Sequence, residues 1–161
     1  MRQVGMVALG IFGLLLLQAT LLPLLVSARL RPDLLLIFTV SCGLLFGREK
    51  AVGIGFFAGV LQDLASGNLF GIHTLSKMMV GFLAGLAEQK VFKEHIILPM
   101  AAMLVASLVN SLLMLVLLNV FGYQTGWSDA LHGEALPSLF YNLIFSVPVH
   151  QTVYRLARRW D

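Results

Sequence analysis

The 161-residue chain is poor in cysteine and in charge: it has one Cys, and 12% of its residues are Asp, Glu, Lys or Arg, about half the share of a soluble domain. A single cysteine excludes an internal disulfide and a cysteine-built metal site. Cys42 lies inside an apolar run and reads as a packed thiol. The four histidines, His73, His95, His132 and His150, have no His, Cys, Asp or Glu at metal-ligand spacing on a shared helix, so no metal is expected. His95, next to Glu94, reads as a cap or interface residue, and His150, among Pro148, Gln151 and Arg155, as an interfacial one. No Gly-x-Ser-x-Gly elbow, phosphate-binding loop or dinucleotide fingerprint occurs. Asp33 and Asp63 fall at the two ends of one predicted helical hairpin, not side by side, which argues against an acid–base dyad. The sequence thus reads as non-enzymatic, with no catalytic residue and no cofactor. Its net charge of +3 is spread in short clusters between apolar runs, unlike the basic stripe of a nucleic-acid binder.

Apolar surface is what the chain has in excess. Hydrophobic residues make up 58% and the mean hydropathy is +0.88, more than a soluble domain of this size can bury. The reading is an all-α, polytopic integral membrane protein, a single domain over 1–161. Six transmembrane helices are predicted at about 4–26, 33–47, 51–66, 72–87, 96–121 and 137–154. Charged or polar residues separate them: Arg29, Arg31 and Asp33; Arg48-Glu49-Lys50; the turn Gly67-Asn68-Leu69-Phe70-Gly71; Glu88 to Glu94; and Gly122 to Leu136. The first run follows Arg2 and ends in Val26-Ser27-Ala28, which resembles a cleavage site. It exceeds a signal-peptide core in length and more membrane sequence follows, so it is expected to remain as a helix.

Orientation follows from the basic residues. Six crossings place Arg2, Arg48, Lys50, Lys90, Lys93, Arg155, Arg158 and Arg159 on one side and only Arg29 and Arg31 on the other. Positive residues stay inside, so both termini are expected in the cytoplasm. Tyr123 and Trp127 suit one membrane interface, Tyr154 and Trp160 the other; the basic tail is explained fully as a topology anchor, with contact to anionic lipid headgroups or a protein as the alternatives.

Helices two and three, at about 15 residues, span roughly 22 Å, less than the hydrocarbon core. They must thin the bilayer, lean on neighbours or end in a protein-lined cavity. Helix three carries Gly55, Gly59 and Asp63, and helix four Lys77, Gly81 and Gly85, each set spaced by four. Each charge therefore shares a face with a small-residue stripe, where another backbone can approach. Helix two has a similar pair, Gly43 and Gly47, and the three sets together point to tight packing of helices two to four. Asp63 and Lys77 lie at equal sequence distance from residue 70, so an antiparallel hairpin brings them to one level. Unpaired in lipid they would be costly. An ion pair between them, or a polar pocket open to the outer face that His73 joins, is expected. Three roles fit: a bridge fixing helix register, a partner or ligand contact, or a proton relay.

The stretch Arg31-Pro32-Asp33-Leu34-Leu35-Leu36-Ile37 resembles the Pro-Asp-Leu opening of helix two in the rod-shape-determining MreD family. Gly59-Val60-Leu61-Gln62-Asp63-Leu64-Ala65-Ser66-Gly67 and Gly71-Ile72-His73-Thr74-Leu75-Ser76-Lys77, followed by Gly81-Phe82-Leu83-Ala84-Gly85, are similar to that family's signature. The resemblance implies a fold like the substrate-binding subunits of energy-coupling-factor transporters. It also implies a non-catalytic role in the bacterial inner membrane: binding MreC, joining MreB, RodA and a penicillin-binding transpeptidase, and helping position peptidoglycan synthesis for rod shape. Asp33, Asp63, Gly67 and Gly71 match its motif positions, with His73 and Lys77 beside them, as residues shaping an outward pocket or partner groove. Gly43, Gly47, Gly55, Gly59, Gly81 and Gly85 then form seams where the MreC transmembrane helix docks. The competing expectation is a small-molecule-binding subunit of a transporter, with Asp63, His73 and Lys77 touching the ligand.

Overall fold

The computed structural model describes residues 2–25, 31–67, 70–87, 97–123 and 136–158. Among them the chain is all helix with no strand, in six helical segments. The first, α1, runs over 2–25 as an α-helix Arg2–Leu16, a π-helical turn Leu17–Leu21 and a last turn Leu22–Leu25. It is followed by α2 (Leu34–Phe46), α3 (Arg48–Ser66), α4 (Ile72–Leu86), α5 (Ile97–Val120) and α6 (Leu136–Ala157). The expectations for Arg29, Lys90, Lys93, Arg159, His95, His132, Trp127 and Trp160 fall outside the described residues.

The third helix begins three residues earlier than its charges suggest. Gly47 has φ 84° and ψ 176°, a conformation essentially restricted to glycine. It reverses the chain in one residue, so Arg48-Glu49-Lys50 form the exposed first turn of α3 rather than a loop. At 19 residues, α3 is about 28 Å long, but its first turn is charged, so its apolar part, from Ala51 on, is no longer than the sequence suggests. The short helices are α2, with 13 residues, and α4, with 15.

The central column is α2. Every residue from Leu34 to Leu45 is buried, as expected for a helix that is apolar on all sides. On one side Leu36, Ile37, Val40 and Leu44 pack with Val80 and Ala84 of α4 and Met103 and Ala106 of α5. On the other, Leu35, Phe38, Cys42 and Leu45 pack with Ile11 of α1, Ile54 and Ala58 of α3 and Val153 of α6. The thiol of Cys42 is buried, in keeping with its place in the run.

The glycine stripes face each other inside the bundle. A Cβ on Gly59 would lie 2.3 Å from Thr74 Cα, and one on Gly55 would lie 2.5 Å from the Lys77 carbonyl oxygen. From the opposite helix, a Cβ on Gly81 would meet the Ala51 oxygen at 2.7 Å and one on Gly85 would meet Arg48 Cα at 2.3 Å. Gly43 of α2 points at the same seam, with Ala84 Cβ at 2.9 Å. The open groove expected there for a foreign helix is therefore already filled by the chain's own backbone. Van der Waals contact between backbones replaces hydrophobic burial as the attraction between helices in lipid. Gly59→Ala is expected to force α3 and α4 apart and cost about 1–3 kcal/mol. Gly13→Ala, with no heavy atom within 4 Å of the new carbon, should leave stability unchanged or raised. Thermal unfolding in detergent micelles compares the two.

The outer surface is apolar. Leu9, Phe12, Phe57, Leu64, Leu75, Met79, Leu108, Leu112 and Phe140 are all exposed. Two helices are long and apolar enough to cross a membrane, Val7–Leu24 and Pro99–Val120, and only 11% and 22% of those windows are buried. Core helices of a soluble protein would be covered instead. The protein is membrane-associated.

Candidate functional site

Polar groups inside this bundle concentrate at the end where α2, α4 and α6 begin. Asp63, in the last turn of α3, is 1% exposed. Its Oδ2 accepts the backbone N–H of Gly71 at 2.9 Å and of Thr74 at 3.1 Å, and the Thr74 hydroxyl at 2.6 Å. Its Oδ1 accepts the His73 N–H at 3.0 Å. A helix leaves its first N–H groups without intrahelical partners, and the residue at the start of α4 is Gly71, which has no side chain to cap them. Asp63 supplies the cap from the neighbouring helix. The carboxylate also lies at the positive end of the α4 dipole. The turn that permits this needs two left-handed residues, Gly67 with φ 63° and Gly71 with φ 100°.

Lys77, 0% exposed, does not meet Asp63. Its Nζ donates to Asp33 Oδ2 at 2.6 Å, across 44 residues of sequence. The expected Asp63–Lys77 pair is thus corrected. Asp63 is held at the rim by the α4 amides, while the long Lys77 side chain reaches across to the start of α2. Asp33 has a second task as the N-cap of α2, its Oδ1 accepting the Leu36 N–H at 2.9 Å. Its own N–H donates to Asn142 Oδ1 at 2.8 Å. Asn142 Nδ2 in turn donates to Ser107 Oγ at 3.2 Å. One chain of polar contacts, Lys77–Asp33–Asn142–Ser107, therefore ties α4, α2, α6 and α5 together. A direct α4–α5 bond runs from Ser76 Oγ to Asn110 Oδ1 at 2.6 Å.

Of the six pocket or groove candidates, five engage each other through two separate hydrogen-bond sets. Asp63, Gly71 and His73 meet in the α4 cap, and Asp33 and Lys77 meet in the ion pair. His73 takes part through its backbone. Gly67 closes α3, donating its N–H to the Asp63 carbonyl at 3.3 Å. Reading the sequence did not pick out Ser107 or the role of Asn142. Their signal was only that of polar residues at helical spacing, which interhelical bonds explain in general without specifying a partner. His150 is buried at 7% exposure, with neither ring nitrogen bonded among the described residues. Among those residues no group of three or more His, Cys, Asp or Glu could hold a metal. The arrangement as a whole uses its charges on one another and on helix ends.

The family model described as rod shape-determining protein MreD matches residues 1–160. No curated protein and no solved structure matches the chain.

Proposed function

Because the chain belongs to the family of rod shape-determining protein MreD, and so to the machinery that determines rod cell shape, we propose that it is a non-catalytic scaffold of the elongation complex. In this reading it crosses the bacterial inner membrane six times with both termini in the cytoplasm. Its fold is like that of the substrate-binding subunits of energy-coupling-factor transporters. It binds the transmembrane helix and juxtamembrane segment of MreC. Through MreC it joins MreB, RodA and a penicillin-binding transpeptidase, so that peptidoglycan synthesis is positioned along the cell.

The observation that carries this reading is how the buried charges are used. Asp63 is saturated by α4 amides and a hydroxyl, and Lys77 is paired with Asp33. Groups spent on joining helices suit a rigid platform better than a site that must release a substrate. The same fact weighs against the transporter-subunit alternative, whose ligand would have to compete with these internal partners. With the glycine seam occupied, a partner helix has only the outer faces to dock on.

Cysteine crosslinking tests the partner. Cys42→Ser removes the single native thiol. New single cysteines at Leu9, Met79, Leu108 and Phe140, all exposed, sample different faces of the bundle. At least one is expected to capture the MreC transmembrane helix in membranes, and a cysteine replacing the buried Ala58 should not. Absence of capture from every outer face would sink the MreC reading.

A further inference from the structure

The end of the bundle opposite the polar network carries Arg48 and Lys50 on the first turn of α3 and Arg155 and Arg158 on the last turns of α6, all exposed. Glu49 is the acidic residue among them, and among the described residues no carboxylate lies within salt-bridge distance of these four cations. Two of them rest on rings: Lys50 Nζ is 5.5 Å from the centre of Phe46, and the Arg158 guanidinium is 5.8 Å from that of Tyr154. Both rings pack against the same apolar cluster of α1, α2, α3 and α6, so both cations stand at the same end of the bundle. Cations stacked on half-buried aromatics at the end of membrane helices lie at headgroup depth.

Below this rim α3 presents bare backbone at one exposed position. Gly53 is exposed, and a Cβ built on it would meet nothing within 4 Å, unlike Gly55 and Gly59 of the same helix. It lies one turn below Lys50, about 4.5 Å deeper. Phe57, 62% exposed, lies one turn further on the same face of α3.

We propose that this rim binds anionic phospholipid, with Lys50 and Arg158 taking headgroup phosphates and an acyl chain lying over Gly53 against Phe57. A polynucleotide or an acidic protein would satisfy the cations and leave the exposed Gly53 and Phe57 beneath them unused. A phospholipid satisfies both. The inference rests on the membrane-embedded reading and not on MreC. Failed crosslinking to MreC leaves it standing, and absent lipid binding leaves the MreC reading standing.

The test is native mass spectrometry of the full chain in detergent, titrated with phosphatidylglycerol and, separately, phosphatidylcholine of the same chains. Phosphatidylglycerol is expected to be retained preferentially. Each basic residue near an anionic headgroup contributes a factor of about 5, so Lys50→Gln with Arg158→Gln should weaken retention about 30-fold. Both residues are exposed, so the variant should fold as before, checked by its unchanged melting temperature in the same detergent. Gly53→Leu should weaken retention with all charges in place. Soluble glycerol phosphate should not compete. Equal retention of the two lipids, indifference to the double substitution, or displacement by glycerol phosphate would each overturn the assignment.

Discussion

Lys77→Met should destabilise the protein by about 3 kcal/mol, the lower end of what removing one partner of a buried pair costs. The lower end applies because the Asp33 side chain keeps 18% exposure while Lys77 keeps none, so water can reach part of the abandoned carboxylate. The second substitution is the informative one. Asn caps a helix about as well as Asp, so Asp33→Asn keeps the acceptor for the Leu36 N–H and removes the stranded charge. The double variant Lys77→Met with Asp33→Asn should therefore recover most of the loss, since replacing both ends of a buried pair is often close to neutral. Lys77→Met with Asp63→Asn should instead be worse than either single variant, because two independent sets of bonds are broken. Melting temperature in detergent micelles and the amount of protein in the membrane both report this. Rescue by Asp63→Asn and not by Asp33→Asn would contradict the pairing observed here. A stable, rescued double variant can then be tested for rod shape in cells, which separates a need for the charges themselves from a need for the fold they hold.

How far the residues foretell this arrangement depends on the range of the interaction. The six apolar runs mark the helices because their periodicity is local, and the Gly55–Gly59–Asp63 and Lys77–Gly81–Gly85 spacings mark the faces of α3 and α4 that meet. The choice of partner for each charge is not local. Counting residues from the turn puts Asp63 and Lys77 at one depth only if both helices run regularly to their ends and both side chains point at each other. Asp63 instead turns back to the unsatisfied amides of α4, a demand created by Gly71, which offers them no cap. Lys77, with four methylenes, reaches a carboxylate that the sequence places 44 residues away. The Pro-Asp-Leu motif marks Asp33 by resemblance, while its bond to Lys77 depends on how α2 sits between α4 and α6. The same holds for the glycines. Their spacing points to close packing among helices two to four, while the atoms that meet, such as Gly59 with Thr74 and Gly85 with Arg48, come only from the packed hairpin.

Asp63→Ala should be the most damaging change at the other polar set, about 3–5 kcal/mol. It removes several hydrogen bonds to a charged acceptor, worth about 1.5–3 kcal/mol each when made, and water reaching the end of α4 offsets part of the loss. The order of variants tests the cap more sharply than any single value. Thr74→Val deletes only the hydroxyl donor of one bond and should cost about 1 kcal/mol. Asp63→Asn keeps one acceptor oxygen but turns an NH₂ toward backbone N–H groups, so it should fall between the two. Hydrogen exchange gives the local reading: the amides of Gly71, His73 and Thr74 should exchange faster in Asp63→Ala, while those of the central α2 change only as far as global stability falls. Protected α4 amides in a stable Asp63→Ala protein would mean that the carboxylate does not hold this turn. If that stable variant also failed to support rod shape, Asp63 would return to consideration as a residue that touches a partner. If Asp63→Ala instead loses stability and shape together, and Asp63→Asn loses both to a smaller degree, the signature residue acts through the helix it caps. The shape-determining role would then depend on α3 and α4 staying locked as one unit.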